Sequence, residues 1–519
     1  MMQISTSQFA ESAAPLPKRI RKLVKAGMSR HPVTRRLYQL PSSAARGAKL
    51  LRLRAVDTLM PTWTAPRLRL ALHYVGEGKY ERATAIADDV VASKPEADLG
   101  ADALLYLSMI YQRAGRIADC LHLEEVAETR RRTIAHELQY DCLGLRFFSR
   151  EPFWAIGALV LFDRYIKAET LGVIPRCANI VLGDPAGFSN PAYARYWQQY
   201  FRFITEPRTI AQLAPLADLH RPETCAVGRG DLQLRWEAEN RDPLLSLSDE
   251  HREQGYRLLR ELGVPDGAWF VGLHVREASS KQECIPNLRN ADILTYRLAV
   301  EEIAKRGGWV LRMGDPSMCP LPAWPSTIDY VHSGRQTDWM DIFLWAEGRF
   351  FIATASGPQL IPTTFGKPVA VTNYGSLACF ECASGDIMLP KQYWHEKERR
   401  YLTIAERMND TYGMWETIDA SGHLFDSAGV RIIDNSPTQL RELVVEMMDR
   451  LEGRHVETEQ ERAFQARFSA LAIAQNLYPV KIARAFLTTR YQPMLPSVVT
   501  DGDFHMKAAA PATTPSATR

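Results

Sequence analysis

The chain reads as an α/β protein, two layered units preceded by a short helical region. Three observations predict this. From Phe153 onward, apolar runs of strand length alternate with segments of helix length, the pattern of α/β layering. At 519 residues the chain is too long for one core and should divide into two to four domains. The run Trp269-Phe270-Val271-Gly272-Leu273 ends abruptly in His274-Val275-Arg276-Glu277. Polar residues at the carboxyl end of a strand in an open α/β sheet stand where such sheets bind ligands.

Residues 1–58 form a basic leader. Within 1–54 there are twelve Lys/Arg against one acidic residue, Glu11, so the net charge of +3 hides a balance of +11 here and −8 over the rest. The leader reads either as a solvated, partly disordered segment or as a peripheral contact with an anionic membrane surface through residues 18–54. It lacks the interleaved aromatics of a nucleic-acid platform, so no nucleic-acid partner is expected. No run reaches the roughly 18 apolar residues of a membrane span, and the first residues carry no apolar signal core. Eight scattered Cys suggest reduced thiols and a cytoplasmic location, at most peripheral at the inner membrane.

Residues 59–148 read as helical and weakly repetitive. Tyr74 to Tyr80 is echoed by Tyr111 to Ile117 at an offset of 37 residues, each followed by an Ala-rich amphipathic stretch. This suggests paired helices of the tetratricopeptide type. Residues 149–245 form the first α/β unit. Gly157 opens a helix toward Gly172, Ala178 to Gly183 reads as a strand, and Ala192 to Phe201 as a helix. Ser248 and Asp249 cap a helix over 250–262. The second unit, 246–455, has strands at 268–275, 308–313, 350–353 and 368–372, with helices at 291–306, 338–347, 357–365 and 437–452. Closing helices fill 456–495, and an Ala/Thr/Pro-rich tail, 496–519, is expected to be disordered.

Three strand ends carry the chemistry. One is His274-x-Arg276-Glu277. The second runs from Arg312 into Gly314-Asp315-Pro316. The third is Thr354-Ala355-Ser356-Gly357, where a strand stops and a helix starts. Backbone N–H groups at that start, hydroxyls of Thr354 and Ser356, a close approach at Gly357 and the charges of Arg276 and Arg312 together suit a diphosphate. His274 is equally readable as a core histidine, Arg312 as a buried ion pair with an Asp, and the Thr-x-Ser-Gly segment as a simple helix cap.

Residues 243–370 resemble a bacterial glycosyltransferase family related to the GDP-fucose protein O-fucosyltransferase group. The matching segments are Pro-Leu-Leu-Ser-Leu at 243–247, Val-Gly-Leu-His-Val-Arg-Glu at 271–277, Leu-Arg-Asn-Ala-Asp-Ile at 288–293 and Gly-Gly-Trp-Val-Leu-Arg-Met-Gly-Asp-Pro-Ser at 307–317. Asp-Trp-Met-Asp-Ile-Phe-Leu at 338–344, Thr-Ala-Ser-Gly at 354–357 and Asp-Asn-Ser-Pro at 434–437 extend it. The resemblance implies a GT-B architecture, two Rossmann-like domains facing a cleft, with 149–245 on the acceptor side and 246–455 holding a nucleotide-sugar donor.

It implies inverting transfer to a hydroxyl acceptor, whether glycan, lipid-linked or protein, in surface polysaccharide or glycoconjugate synthesis, with no cofactor. The one clear Asp-x-Asp, Asp501-Gly502-Asp503, falls in the tail and not at a strand end, which argues for metal-independent transfer. Arg276 would meet the donor diphosphate. His274, Arg289, Asn290, Arg312, Gly314, Asp315, Thr354, Ser356 and Gly357 would line the donor pocket. Gly157 and Asp163 would face the acceptor. Glu277 is a candidate base, against the plainer reading of an ion pair to Arg289 or Arg276. A non-catalytic interaction protein, with a degenerate α/β domain beside helical repeats, is the rival.

One other signal is weak. Cys379-x-x-Cys382 has no second Cys/His pair near it in sequence.

Overall fold

The computed structural model describes residues 64–488 apart from 77–78, 151–152, 154, 218, 220–229, 278–287, 376, 378–381, 408–421 and 475–476. The basic leader, the tail and Cys379 lie outside the described residues. The chain forms two compact units: Met1–Ser149 with Ile204–Arg221, and Arg150–Phe203 with Pro222–Arg519.

In the first unit, α1 (Thr64–Gly76) and α2 (Tyr80–Ser93) make one hairpin, and α3 (Ala101–Arg113) and α4 (Ile117–Glu137) a second. Lys79 N–H donates to Tyr74 O and Arg116 N–H to Tyr111 O, both at 2.9 Å. Small and aliphatic residues, among them Ala71, Ala83, Ala87, Leu104 and Leu107, fill one core between the hairpins. Arg116 and the Tyr111 hydroxyl both bond Asp88, tying α2 to the second hairpin.

The second unit is built on a seven-stranded sheet. Its strands are β1 (Phe270–His274), β2 (Trp309–Arg312), β3 (Thr327–Ile328), β4 (Phe351–Thr354), β5 (Val369–Tyr374), β6 (Ile387–Pro390) and β7 (Lys481–Ile482). Their spatial order is β3-β2-β1-β4-β5-β6-β7, and every pairing is parallel. This is a doubly wound sheet whose direction of winding reverses between β1 and β4.

The crossovers follow from handedness. Helix α7 (Arg297–Lys305) leads to β2, and α8 (Asp338–Glu347) leads back across the sheet to β4. Right-handed connections in opposite directions place them on opposite faces. Helix α6 (Asp249–Glu261) packs with α8, and α9 (Pro437–Leu451) with α7. Contact in the first pair is close: a Cβ on Gly255 would overlap the Phe343 ring. The caps are local and strong. Ser248 accepts from His251 N–H, Thr337 from Met340 N–H, and Ser436 forms a capping box with Gln439.

The stretch Arg150–Phe203 belongs to this unit and carries α5 (Val160–Thr170) and the strand Ala178–Leu182. The helix expected over 192–201 is shorter, Pro191–Tyr196, and the chain turns into a strand at Phe201–Ile204. Between β6 and α9 lies a small antiparallel sheet in which Gln392–His395 pairs with Val430–Ile433 and Arg400–Tyr401. Its own core is Tyr393, Leu402, Phe425 and Val430. Cys382 is disulfide-bonded, which departs from the expectation of reduced thiols, whereas Cys120, Cys142 and Cys319 are free thiols. Among the described residues no helix is long and apolar enough to cross a membrane.

Candidate anion site at the β1–β4 strand ends

Two strand ends meet where the sheet reverses. β1 stops at His274, and the chain continues through buried Val275 to half-buried Arg276. Beside it β4 stops at Thr354, which is fully buried. A buried hydroxyl in this position needs a partner, and the Arg276 backbone N–H donates to Thr354 Oγ1 at 2.9 Å. The Ser356 hydroxyl turns back to Thr354 O at 3.0 Å and does not cap the following turn, Gly357–Leu360.

Arg276 is held from one side only. Its Nε–H donates to Asn290 Oδ1 at 3.1 Å, and its carbonyl accepts from Ala291 N–H at 2.9 Å. Among the described residues no carboxylate pairs with this guanidinium. Its Nη edge therefore remains available to an anion. Arg289 is exposed next to Asn290.

Arg312, on the neighbouring strand, differs in every respect. It is fully buried, and its Nη groups meet Glu277 Oε2 at 2.8 Å, Asp329 Oδ1 at 3.1 Å and Cys319 O at 3.1 Å. The expectation that Arg312 adds charge to a ligand pocket is corrected: its charge is spent inside the fold. Glu277 is corrected with it. It pairs with Arg312 rather than Arg276 or Arg289, and burial pushes its pKa up while Arg312 pulls it down. A carboxylate committed this way is poorly placed to take a proton from an acceptor.

His274 is buried, with Nδ1 3.3 Å from Met313 O. Burial, with a smaller push from Arg312 and Arg276, lowers its pKa to about 4. The ring is thus neutral near pH 7 and donates its Nδ1 proton to that carbonyl. Gly314 allows the chain to pass the Met318 sulfur, which a Cβ would overlap, and its carbonyl accepts from Gln336 Nε2 at 2.9 Å. Asp315 is exposed, and its Oδ1 accepts from Ser317 N–H at 2.8 Å.

The two residues expected on an acceptor side separate. Gly157 comes directly against Gly357: a Cβ on Gly157 would lie 2.6 Å from the Gly357 Cα, so both positions require glycine. Two turns that each open a helical segment thereby meet backbone to backbone. Asp163 is buried on α5, its Oδ2 2.6 Å from Lys167 Nζ, and Lys167 also donates to Gln233. It is an interior ion pair, not an acceptor-facing base.

The structure thus gathers Arg276, Asn290 and Thr354 at the β1–β4 ends, with Gly357 following β4. Arg312 and Glu277 go to a separate interior network. Sequence reading overlooked Lys391, which follows β6 and bonds the Asn290 carbonyl at 2.8 Å. The available signal was a lone Lys directly after the apolar run Ile387 to Pro390. Among the described residues no group of three or more His, Cys, Asp or Glu is placed to hold a metal ion.

No protein-family model matches this chain, and no curated protein matches it. Among solved structures it is similar to the glycosyl transferase family 9 structure from Veillonella parvula, at 11% identity and a TM-score of 0.34, covering 60% of this chain and 98% of that one. It is also similar to the E. coli ADP-heptose LPS heptosyltransferase II, at 10% identity and a TM-score of 0.28, covering 55% of this chain and 100% of that one. A third is E. coli heptosyltransferase WaaC with ADP, at 10% identity and a TM-score of 0.23, covering 47% and 91%. At such identities and scores, function has to be read from the chemistry of the site itself.

Proposed function

We propose that this protein is a glycosyltransferase that binds a nucleoside-diphosphate sugar at the β1–β4 strand ends and moves the sugar to a hydroxyl acceptor. One observation carries the reading: at the winding reversal of a parallel sheet stands an arginine, Arg276, oriented by Asn290 and paired with no carboxylate among the described residues. Ligands of open α/β sheets bind at this crevice, and a half-buried guanidinium without a counter-ion suits a polyanion.

In the reaction, the bond from the anomeric carbon to the diphosphate oxygen breaks and its electron pair leaves on the diphosphate. The acceptor oxygen bonds that carbon and gives up its proton to solvent water. Arg276 is placed to stabilise the charge growing on the leaving oxygen, an electrostatic contribution. With that charge met by a guanidinium, transfer should be insensitive to EDTA; strong loss of activity on chelation would count against it. GT-B architecture, inversion, a GDP-linked donor and a role in surface glycoconjugate assembly belong to this proposal and rest on the sequence resemblance.

A screen of nucleotide sugars with purified protein tests the reading. Transfer or donor hydrolysis is expected from wild type and not from Arg276→Ala. Equal turnover by both would remove Arg276 from the chemistry. The rival, a non-catalytic interaction protein, draws on the helical unit, where Leu105 and Met109 stand exposed one turn apart on α3. Absence of turnover with every donor, together with partner binding lost on Leu105→Glu, would favour it.

A further inference from the structure

We propose that Lys391 and Asp434 are positioning residues for this site: they fix the Asn290 turn and, through it, aim the Arg276 guanidinium at the ligand. The inference rests on the proposed role of Arg276 and deepens it.

Lys391 follows β6 at the same carboxyl edge of the sheet, with its side chain only 4% exposed. A buried ammonium is tolerated only when paired and hydrogen-bonded. Its Nζ has two such partners, Asp434 Oδ1 at 2.6 Å and Asn290 O at 2.8 Å. Both ends of the arrangement are rigid. The Lys391 backbone N–H donates to Tyr374 O at 2.9 Å, and its carbonyl accepts from Arg407 Nη1 at 2.9 Å. Beside Asp434, Asn435 and Asn373 exchange backbone-to-side-chain bonds in both directions, at 2.6 and 2.7 Å, and both are buried.

Asn290 by contrast lies outside regular secondary structure. The adjoining Ala291 N–H bonds the Arg276 carbonyl, and the charge-assisted bond of Lys391 to the Asn290 carbonyl, a stronger kind than a neutral pair, ties it from behind. What it does in front is accept from Arg276 Nε–H. Because the guanidinium is planar with donors in a fixed fork, holding Nε sets the direction of the Nη edge. The order is therefore Asp434, Lys391, Asn290, Arg276, running from a rigid sheet edge to a ligand-facing charge. The links lie 43, 101 and 14 residues apart in the chain.

The test is a double-mutant cycle read by calorimetric titration of GDP, ADP and UDP, carrying forward whichever binds tightest. Lys391→Met should weaken binding about tenfold, the order expected when one arginine must be ordered by the ligand instead of by the protein. Arg276→Lys keeps a charge but loses the Nε–H that Asn290 accepts, so in that background Lys391→Met should change affinity less than about twofold. Asp434→Asn, which keeps shape, should weaken binding about threefold in wild type and not in Arg276→Lys. It carries the test if Lys391→Met fails to fold, as judged by thermal melting.

The proposal is overturned if neither Lys391→Met nor Asp434→Asn changes affinity, or if their effects add fully to that of Arg276→Lys. Full additivity would mean that Lys391 acts on the ligand or on stability by itself. Failure of the underlying site has a different signature: no binding to wild type, or unchanged binding to Arg276→Ala.

Discussion

Two neighbouring strand ends each contribute an arginine, and the fold treats them in opposite ways. At the β1–β4 edge Arg276 is half-buried and oriented by a neutral amide, with no carboxylate paired to it among the described residues. At the β2–β3 edge Arg312 is fully buried between Glu277 and Asp329, with Cys319 O as a further acceptor. The first is a charge held ready, and the second is a structural tie between turns. Strand position alone does not decide which arginine is ion-paired inside the fold. The carboxylates that the following loops bring up decide it.

The largest expected effect breaks the structural side of this contrast. Arg312→Met leaves Glu277 and Asp329 without their cation, which should cost about 3–5 kcal/mol in denaturant unfolding. The affinity of the folded protein for nucleoside diphosphates should change less than about threefold. Arg276→Ala should do the reverse. Losing two charge-assisted contacts should weaken diphosphate binding about a hundredfold or more, while the melting temperature moves by about 2 °C or less.

Glu277→Gln separates tie from base. Retaining a hydrogen bond to Arg312 but losing the charge, it should cost about 1–2 kcal/mol of stability and lower kcat less than about threefold. A fall in kcat of about a hundredfold or more would mark Glu277 as the general base after all.

The smallest effect concerns the β2–β3 edge and pH. Asp341, on α8 close to Tyr330, has an Oδ1 with no hydrogen-bond partner among the described residues, and burial pushes its pKa up to about 7. A raised carboxyl pKa gives stability that is complete below the unfolded value near 4 and is lost as pH rises through about 7. Asp341→Asn should therefore gain about 1 kcal/mol or more at pH 8 relative to wild type and little at pH 4, seen as a flatter profile of melting temperature against pH.

Much of the sheet could be read from residue order. β1 and β2 fall inside the predicted runs, β4 and β5 overrun theirs by one and two residues, and α8 has the predicted bounds, because each is an apolar or periodic segment with clear boundaries. The two-residue strands β3 and β7 carry no pattern of their own and exist only through their neighbours. Phe201, where the strand Phe201–Ile204 begins, reads as the end of a helix because it continues the aromatics Tyr196 and Trp197. At the site, Arg276 and Thr354 are legible as residue types at strand ends, whereas Asn290 is reached only through the resemblance of segment 288–293. The pairing of Glu277 with Arg312 is not legible, since it joins positions 35 apart across two strand ends. Nor is Lys391, whose partner Asn290 lies 101 residues away. Local pattern shows where a strand stops; only tertiary contact shows which charges are already neutralised there.

The most direct measurement is calorimetric titration of GDP, ADP and UDP into wild type, Arg276→Ala and Arg312→Met under one buffer and salt. The account predicts binding of at least one of them to wild type, loss of about a hundredfold or more in Arg276→Ala, and near-wild-type affinity in folded Arg312→Met. Unchanged affinity in Arg276→Ala, or a larger loss in folded Arg312→Met than in Arg276→Ala, would contradict it.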